Sequence, residues 1–173
     1  MRTIVLILAP AMALALAVAQ AAETAAPSPV KIAVFPFELE DFSAGAAYVP
    51  PDDIDREQLR LSTEEVRRLI AASGRYQLID VGNANDQAAS AGKLRDCDGC
   101  DARIAAALDA DRSMIGIVTR ITRMEYTVTY KLRDARSGAL VDVEQTDLRM
   151  GANVAWSRGA RWLIENRLLE QAK

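Results

Sequence analysis

No histidine occurs among the 173 residues. That absence removes the usual general base, the commonest metal ligand and the usual near-neutral proton switch, so histidine triads and histidine-containing zinc sites are excluded. Cysteine is limited to Cys97 and Cys100, two soft ligands where a structural zinc site takes four ligands. Aromatic residues make up 5% of the chain and include two tryptophans, so each large ring is a candidate for the core or for a contact surface. Neither sign of charge dominates: 21 basic residues face 24 acidic ones. The arginines are scattered among acids and form no stripe, so nucleic acid is not an expected partner, and no cofactor or metal is expected either.

One long apolar run is present, at residues 4–18, preceded by Met1-Arg2-Thr3 and followed by Ala19-Gln20-Ala21. The run is about 15 residues long and interrupted by Pro10, short of the roughly 20 that a spanning helix needs. With its basic start and A-x-A end it reads as a signal peptide over residues 1–21, cleaved after Ala21. The expected location is the periplasm or the cell exterior, with no membrane span left after cleavage. Residues 22–29, with two prolines, read as a disordered tether. Residues 30–173 suit a single domain with one sizeable core.

Residues 30–39 carry β-branched and aromatic groups on both faces, as a central strand covered on both sides would. Pro36 cannot donate to a ladder, so pairing is expected to fade there. Residues 38–55 read as a loop with six carboxylates, Glu38, Glu40, Asp41, Asp52, Asp53 and Asp55. Clustered oxygens suit calcium, but their spacing matches no calcium loop.

Residues 58–72 have helical periodicity. Ser62 and Glu65 are placed for a capping box, which would start the regular helix at Ser62, and Gly74 suits its left-handed end. Residues 76–81 read as a strand parallel to the first. A polar stretch over residues 82–92 precedes a short helix at 101–108, with Asp98 or Asp101 as its N-cap. Residues 112–123 are nearly all apolar, and from Met124 the pattern becomes strict alternation, which suggests a kink or bulge near Arg123. A turn at 134–138 leads into a strand at 140–148, and a last helix over 154–170 carries Trp156 and Trp162. The fold predicted is mixed α/β, a single mixed sheet of about five strands in the order β-α-β-α-β-β-β-α, with helices packed on it.

Cys97-Asp98-Gly99-Cys100 stands at a helix start, where disulfide oxidoreductases place a reactive pair. Asp96, Asp98 and Asp101 oppose a thiolate there, and an oxidising compartment favours a structural disulfide between Cys97 and Cys100. Both readings stay open. Trp156 and Trp162 are candidates for a binding surface, with core packing of at least one as the alternative. Asp147 and Arg149 sit two apart on a strand, on one face, and can pair with each other or serve a partner.

These segments together resemble a bacterial secreted family known as a domain of unknown function. The residues that carry the likeness are the V-F-P-F-E-L run at Val34–Leu39, S-G-R-Y at Ser73–Tyr76, the C-x-x-C pair, D-A-x-S-G at Asp134–Gly138, and D-x-R followed by W-x-R-G at Asp147, Arg149, Trp156, Arg158 and Gly159. Asp109 stands where the family's usual pattern has glycine, which implies a left-handed aspartate, and Met150 also departs from it. The resemblance implies an architecture similar to the amino-terminal domain of TolB and to the curli secretion lipoprotein, and an accessory role, in some relatives beside quinoprotein alcohol dehydrogenases.

The function expected is therefore a non-catalytic periplasmic binding or accessory module with a periplasmic or envelope protein as partner. Its contact surface is expected at the acidic segment with Glu38, Glu40 and Asp41, or on the last helix with Asp147, Arg149, Trp156 and Trp162. The alternatives are a thiol-disulfide redox protein using Cys97 and Cys100, and a carrier of a small ligand or metal.

Overall fold

The computed structural model describes residues 28–84, 92–148 and 154–170. The expected signal peptide, most of the tether, and also Arg149 and Met150 lie outside the described residues. One mixed sheet of six strands carries three helices. The strands are β1 (Val30–Val34), β2 (Glu38–Asp41), β3 (Tyr76–Ile79), β4 (Arg112–Arg120), β5 (Tyr126–Asp134) and β6 (Leu140–Leu148). The helices are α1 (Asp53–Ala72), α2 (Cys100–Ala107) and α3 (Trp156–Leu163), the last running into a π turn at Ile164–Leu168.

The sheet order is β3-β1-β4-β5-β6, and β2 also pairs with β4. β1 is parallel to β3 and β4, β2 is parallel to β4, and β4, β5 and β6 form an antiparallel meander. The sixth strand arises because residues 30–39 are two strands and not one. Pro36 has no N–H for the ladder, and the chain is interrupted at Phe35-Pro36-Phe37 before it resumes against β4. Helix α1 supplies the missing partners: Thr63 Oγ1 accepts from Phe37 N at 2.9 Å, and Arg67 donates to the Val34 carbonyl at 2.7 Å.

Three local expectations are corrected. Helix α1 begins at Asp53 and not at Ser62, because Asp52 and Asp55 form the reciprocal capping box ten residues before Ser62. Ser62 is instead fully buried, its hydroxyl bonded to the Gln58 carbonyl at 2.8 Å. The face change near Arg123 is a chain reversal between β4 and β5, held by Ile121 N donating to the Glu125 carbonyl at 2.9 Å; the register shift lies further on, between Leu132 and Arg133. The N-cap of α2 is Gly99 in the left-handed region, and neither Asp98 nor Asp101 caps it. Asp109 does adopt the left-handed conformation, at φ 59°.

The two faces of the sheet are covered unequally. On one, α1 and α3 enclose Ile32, Val34, Met114, Val118, Val128, Tyr130 and Leu132, with Trp156 fully buried among them. The close approach of α3 depends on Gly159, where a Cβ would stand 2.6 Å from Leu148 Cδ2. Phe37 lies over Gly116 for the same reason, its ring 2.2 Å from where a Cβ would be. On the other face α2 covers a smaller core of Phe35, Ile115, Ile117, Ile104 and Leu94, filled in with alanines 33, 84, 105, 110 and 135.

Candidate functional site

The acidic segment folds inward. Glu38 accepts from Leu94 N at 2.7 Å and pairs with Arg95 at 3.2 Å. Glu40 accepts from the Thr119 hydroxyl at 3.3 Å. Asp41 receives Ser43 N at 2.9 Å and Arg120 at 2.7 Å. Asp55, at the start of α1, binds the other arm of the same Arg120 guanidinium. Burial by itself pushes the Asp41 carboxyl up, but the hydrogen bonds from Ser43 and Arg120 outweigh it and hold the group below its ordinary value. Burial likewise works against the Arg120 charge, and the bonds to Tyr126, Asp41 and Asp55 outweigh that and raise its pKa.

Arg120 is thus the hub of this end of the molecule. It ends β4, spans Asp41 of β2 and Asp55 of α1, and donates to the Tyr126 hydroxyl at 3.2 Å. Its guanidinium lies 5.5 Å from the Tyr126 ring centre and 6.0 Å from that of Trp156. Three elements and two aromatic rings are tied to one cation, which makes the floor rigid.

Above this floor is a cavity of about 300 Å³ lined by Asp41, Asp55, Arg120, Arg123, Tyr126 and the apolar Val49, Ile54 and Val154. Those apolar side chains belong to a larger exposed set. Phe42, Tyr48, Val49 and Ile54 come from the segment joining β2 to α1, Ile121 and Met124 from the β4–β5 turn, and Val154 precedes α3. Seven of the twelve large exposed hydrophobic residues among those described stand at this one end, with Phe42 67% and Tyr48 90% exposed. Asp41, Asp55 and Arg120 are turned toward one another here, while Asp53 and the apolar set face water.

The second predicted surface, on the last helix, divides. Trp156 is fully buried and 5.5 Å from the Tyr126 ring, centre to centre. Trp162 is 42% exposed, with the Arg167 guanidinium 5.3 Å from its ring centre. Trp162 shares a shallow groove with Asp147, Thr146, Leu148 and Arg158. The structure therefore brings Asp147 and Trp162 together on one side and Asp41 and Trp156 around Arg120 on the other. Cys97 and Cys100 are joined in a disulfide, with Cα atoms 5.6 Å apart. Among the described residues no three Cys, Asp or Glu side chains converge to hold a metal ion, and no helix is long and apolar enough to cross a membrane.

Arg120 and the apolar rim escape sequence reasoning. An arginine among acids reads as solvated surface, and Phe42, Tyr48 and Val49 lie in a segment with neither helical nor strand period. Their signal is only that large apolar groups flank a run of small residues, Ser43 to Ala47.

The model of a family described as "Protein of unknown function (DUF2380)" matches residues 30–168. No curated protein matches the chain. Among solved structures, the LpoB C-terminal domain from Salmonella enterica aligns with a TM-score of 0.50 at 11% identity, over 73% of this chain and 87% of that one. Lipoprotein GNA1162 from Neisseria meningitidis aligns at 0.49 and 14% identity over 84% and 98%. TolB from Acinetobacter baumannii aligns at 0.44 and 16% identity, over 81% of this chain and 28% of TolB. The likeness to the LpoB domain is one of fold.

Proposed function

The chain belongs to the family just described, whose description leaves function open, and we propose from its own geometry that it is a non-catalytic accessory module of the periplasm. In this reading residues 1–21 direct export and the apolar end around Phe42, Tyr48 and Ile54 docks on a periplasmic or envelope protein. One observation carries the proposal: a segment with six carboxylates and no basic residue places Glu38, Asp41 and Asp55 on internal partners and its large apolar groups in water. A concentration of exposed apolar groups at one end of a domain is the kind of surface that marks an interaction site. The rigid Arg120 floor beneath it reduces the ordering cost of binding. Asp147 and Trp162 form a second, more polar contact region in the same reading. The sequence resemblance suggests a quinoprotein dehydrogenase as one partner class.

The test is affinity capture from periplasm with the secreted protein and with a Phe42→Ser, Tyr48→Ser, Ile54→Ser variant. The expected result is a defined partner retained by the parent and lost by the variant, whose melting temperature and circular dichroism stay unchanged. Equal capture by both proteins would remove this surface from consideration.

A further inference from the structure

The acids that flank the cysteine pair in sequence are engaged by other groups in the fold. Asp98 pairs with Arg133 at 2.6 Å. Asp101, fully buried, accepts from the Ser113 hydroxyl at 2.6 Å and has Arg133 at 3.6 Å. Asp96 has Arg95 at 3.5 Å. The charged group that does face the bridge is Arg103, whose Nη2 lies 3.1 Å from Cys100 Sγ and 3.9 Å from Cys97 Sγ.

The two sulfurs are not equivalent. Cys100 is buried, at 6% exposure, and is the first residue of α2, where peptide N–H groups without helical partners favour negative charge. Cys97 precedes the helix and is partly exposed. Beside the bridge a cavity of about 360 Å³ has Arg103, Arg133, Arg136 and Asp98 as its charged lining. Three guanidiniums meet Asp98 in the lining and Asp101 behind Arg133, so the cavity keeps a small excess of positive charge.

We infer that Cys97–Cys100 is an exchangeable disulfide, opened by a thiol that bears carboxylates, with Cys97 Sγ as the attacked atom and Cys100 Sγ as the leaving thiolate. The incoming thiolate forms a new S–S bond to Cys97 while the Cys97–Cys100 bond breaks, and its electron pair stays on Cys100 beside Arg103. A second thiol then attacks the external sulfur of the mixed disulfide. It releases Cys97 with a proton and leaves as the small-molecule disulfide, so two thiols are oxidised for one protein disulfide reduced. Stabilising the leaving thiolate speeds the first step and favours the reduced form. The basic cavity raises the local concentration of an anionic attacker.

The secreted protein in its oxidised form tests this against three probes: glutathione (anionic), 2-mercaptoethanol (neutral) and cysteamine (cationic). Opening is followed by acid quench and intact mass, with rates expressed per thiolate. Glutathione is expected to react about tenfold faster than cysteamine, with the gap closing at high salt. The gap also closes in the Arg103→Gln, Arg136→Gln variant. In equilibrium with glutathione, Arg103→Gln is expected to lower the constant for reduction about tenfold, a potential about 30 mV more negative, with Arg103→Lys restoring part of it. Cys100→Ser is expected to hold glutathione on Cys97 as a stable mixed disulfide. Equal rates for the three probes, or an Arg103→Gln variant with unchanged rate and potential, would overturn the inference and leave the bridge a structural cross-link.

Discussion

The two faces of the sheet are held by different physics. Under α1 and α3 the core contains Trp156, Tyr130, Met114, Ile70 and Leu163, all but fully buried, and apolar burial of such groups supplies the cohesion. Under α2 the helix has eight residues and contributes Ile104 and small alanines. That face has specific anchors in place of bulk: the disulfide at the start of α2, the Asp101–Ser113 hydrogen bond, and Glu38 holding Leu94 N. The difference teaches that a short helix with little apolar surface can be fixed by a few directional contacts, and that such a face yields more readily than its opposite.

The contrast breaks most sharply at the tryptophans. Trp156→Ala is expected to cost about 3 to 5 kcal/mol by denaturant unfolding, while Trp162→Ala costs less than about 1 kcal/mol, because only the first leaves a cavity. Comparable losses would mean the α3 face is not held by its core. On the α2 face, Ser113→Ala removes the hydroxyl partner of a fully buried carboxylate and is expected to cost up to about 3 kcal/mol. Ser113→Thr, which keeps the hydroxyl, serves as the control.

Opening the disulfide comes next in size. A ring of four residues removes little chain entropy, so Cys97→Ser with Cys100→Ser is expected to cost about 2 kcal/mol. The melting temperature falls by several degrees. Hydrogen exchange should quicken in α2 and remain slow in α1 and α3, and a uniform change would erase the distinction between the faces. The smallest effect is on pH. Asp41 is held below its ordinary value of 3.8, so its contribution is complete above that pH and is lost as pH falls through the lower folded value. Acid titration with Asp41→Asn as reference should show a difference that shrinks in that window. The Arg120 end should loosen there before the α3 core melts.

Much of the fold was legible because period and punctuation are local properties. The alternation of Tyr126, Val128, Tyr130 and Leu132 placed one face of β5, Gly74 and Gly138 marked two left-handed positions, and Asp109 followed from the family pattern. Pro36 predicted where the first strand would fade, though not that a second would resume beyond it. What misled was competition between equivalent local signals. Asp52 with Asp55 and Ser62 with Glu65 both fit a capping box, and the earlier pair was used because residues 53–61 could extend the helix. Asp101 looked like a cap because carboxylates near helix starts usually are; Ser113, twelve residues on, takes it into the core instead.

By itself, the sequence determined the mixed α/β class, the order of elements apart from the second strand at Glu38–Asp41, the exclusion of histidine chemistry and the closeness of the two cysteines. Each depends on composition or on neighbours within a few residues. Which charges are spent and which surfaces are free was decided only by tertiary structure, since Asp41 and Asp55 meet Arg120 across 79 and 65 residues of chain. Other long-range contacts give Asp98 to Arg133 and Asp101 to Ser113, while Phe42, Tyr48 and Ile54 are left in water. A largely covered arginine requires carboxylates wherever the fold can bring them, and no local pattern records that demand.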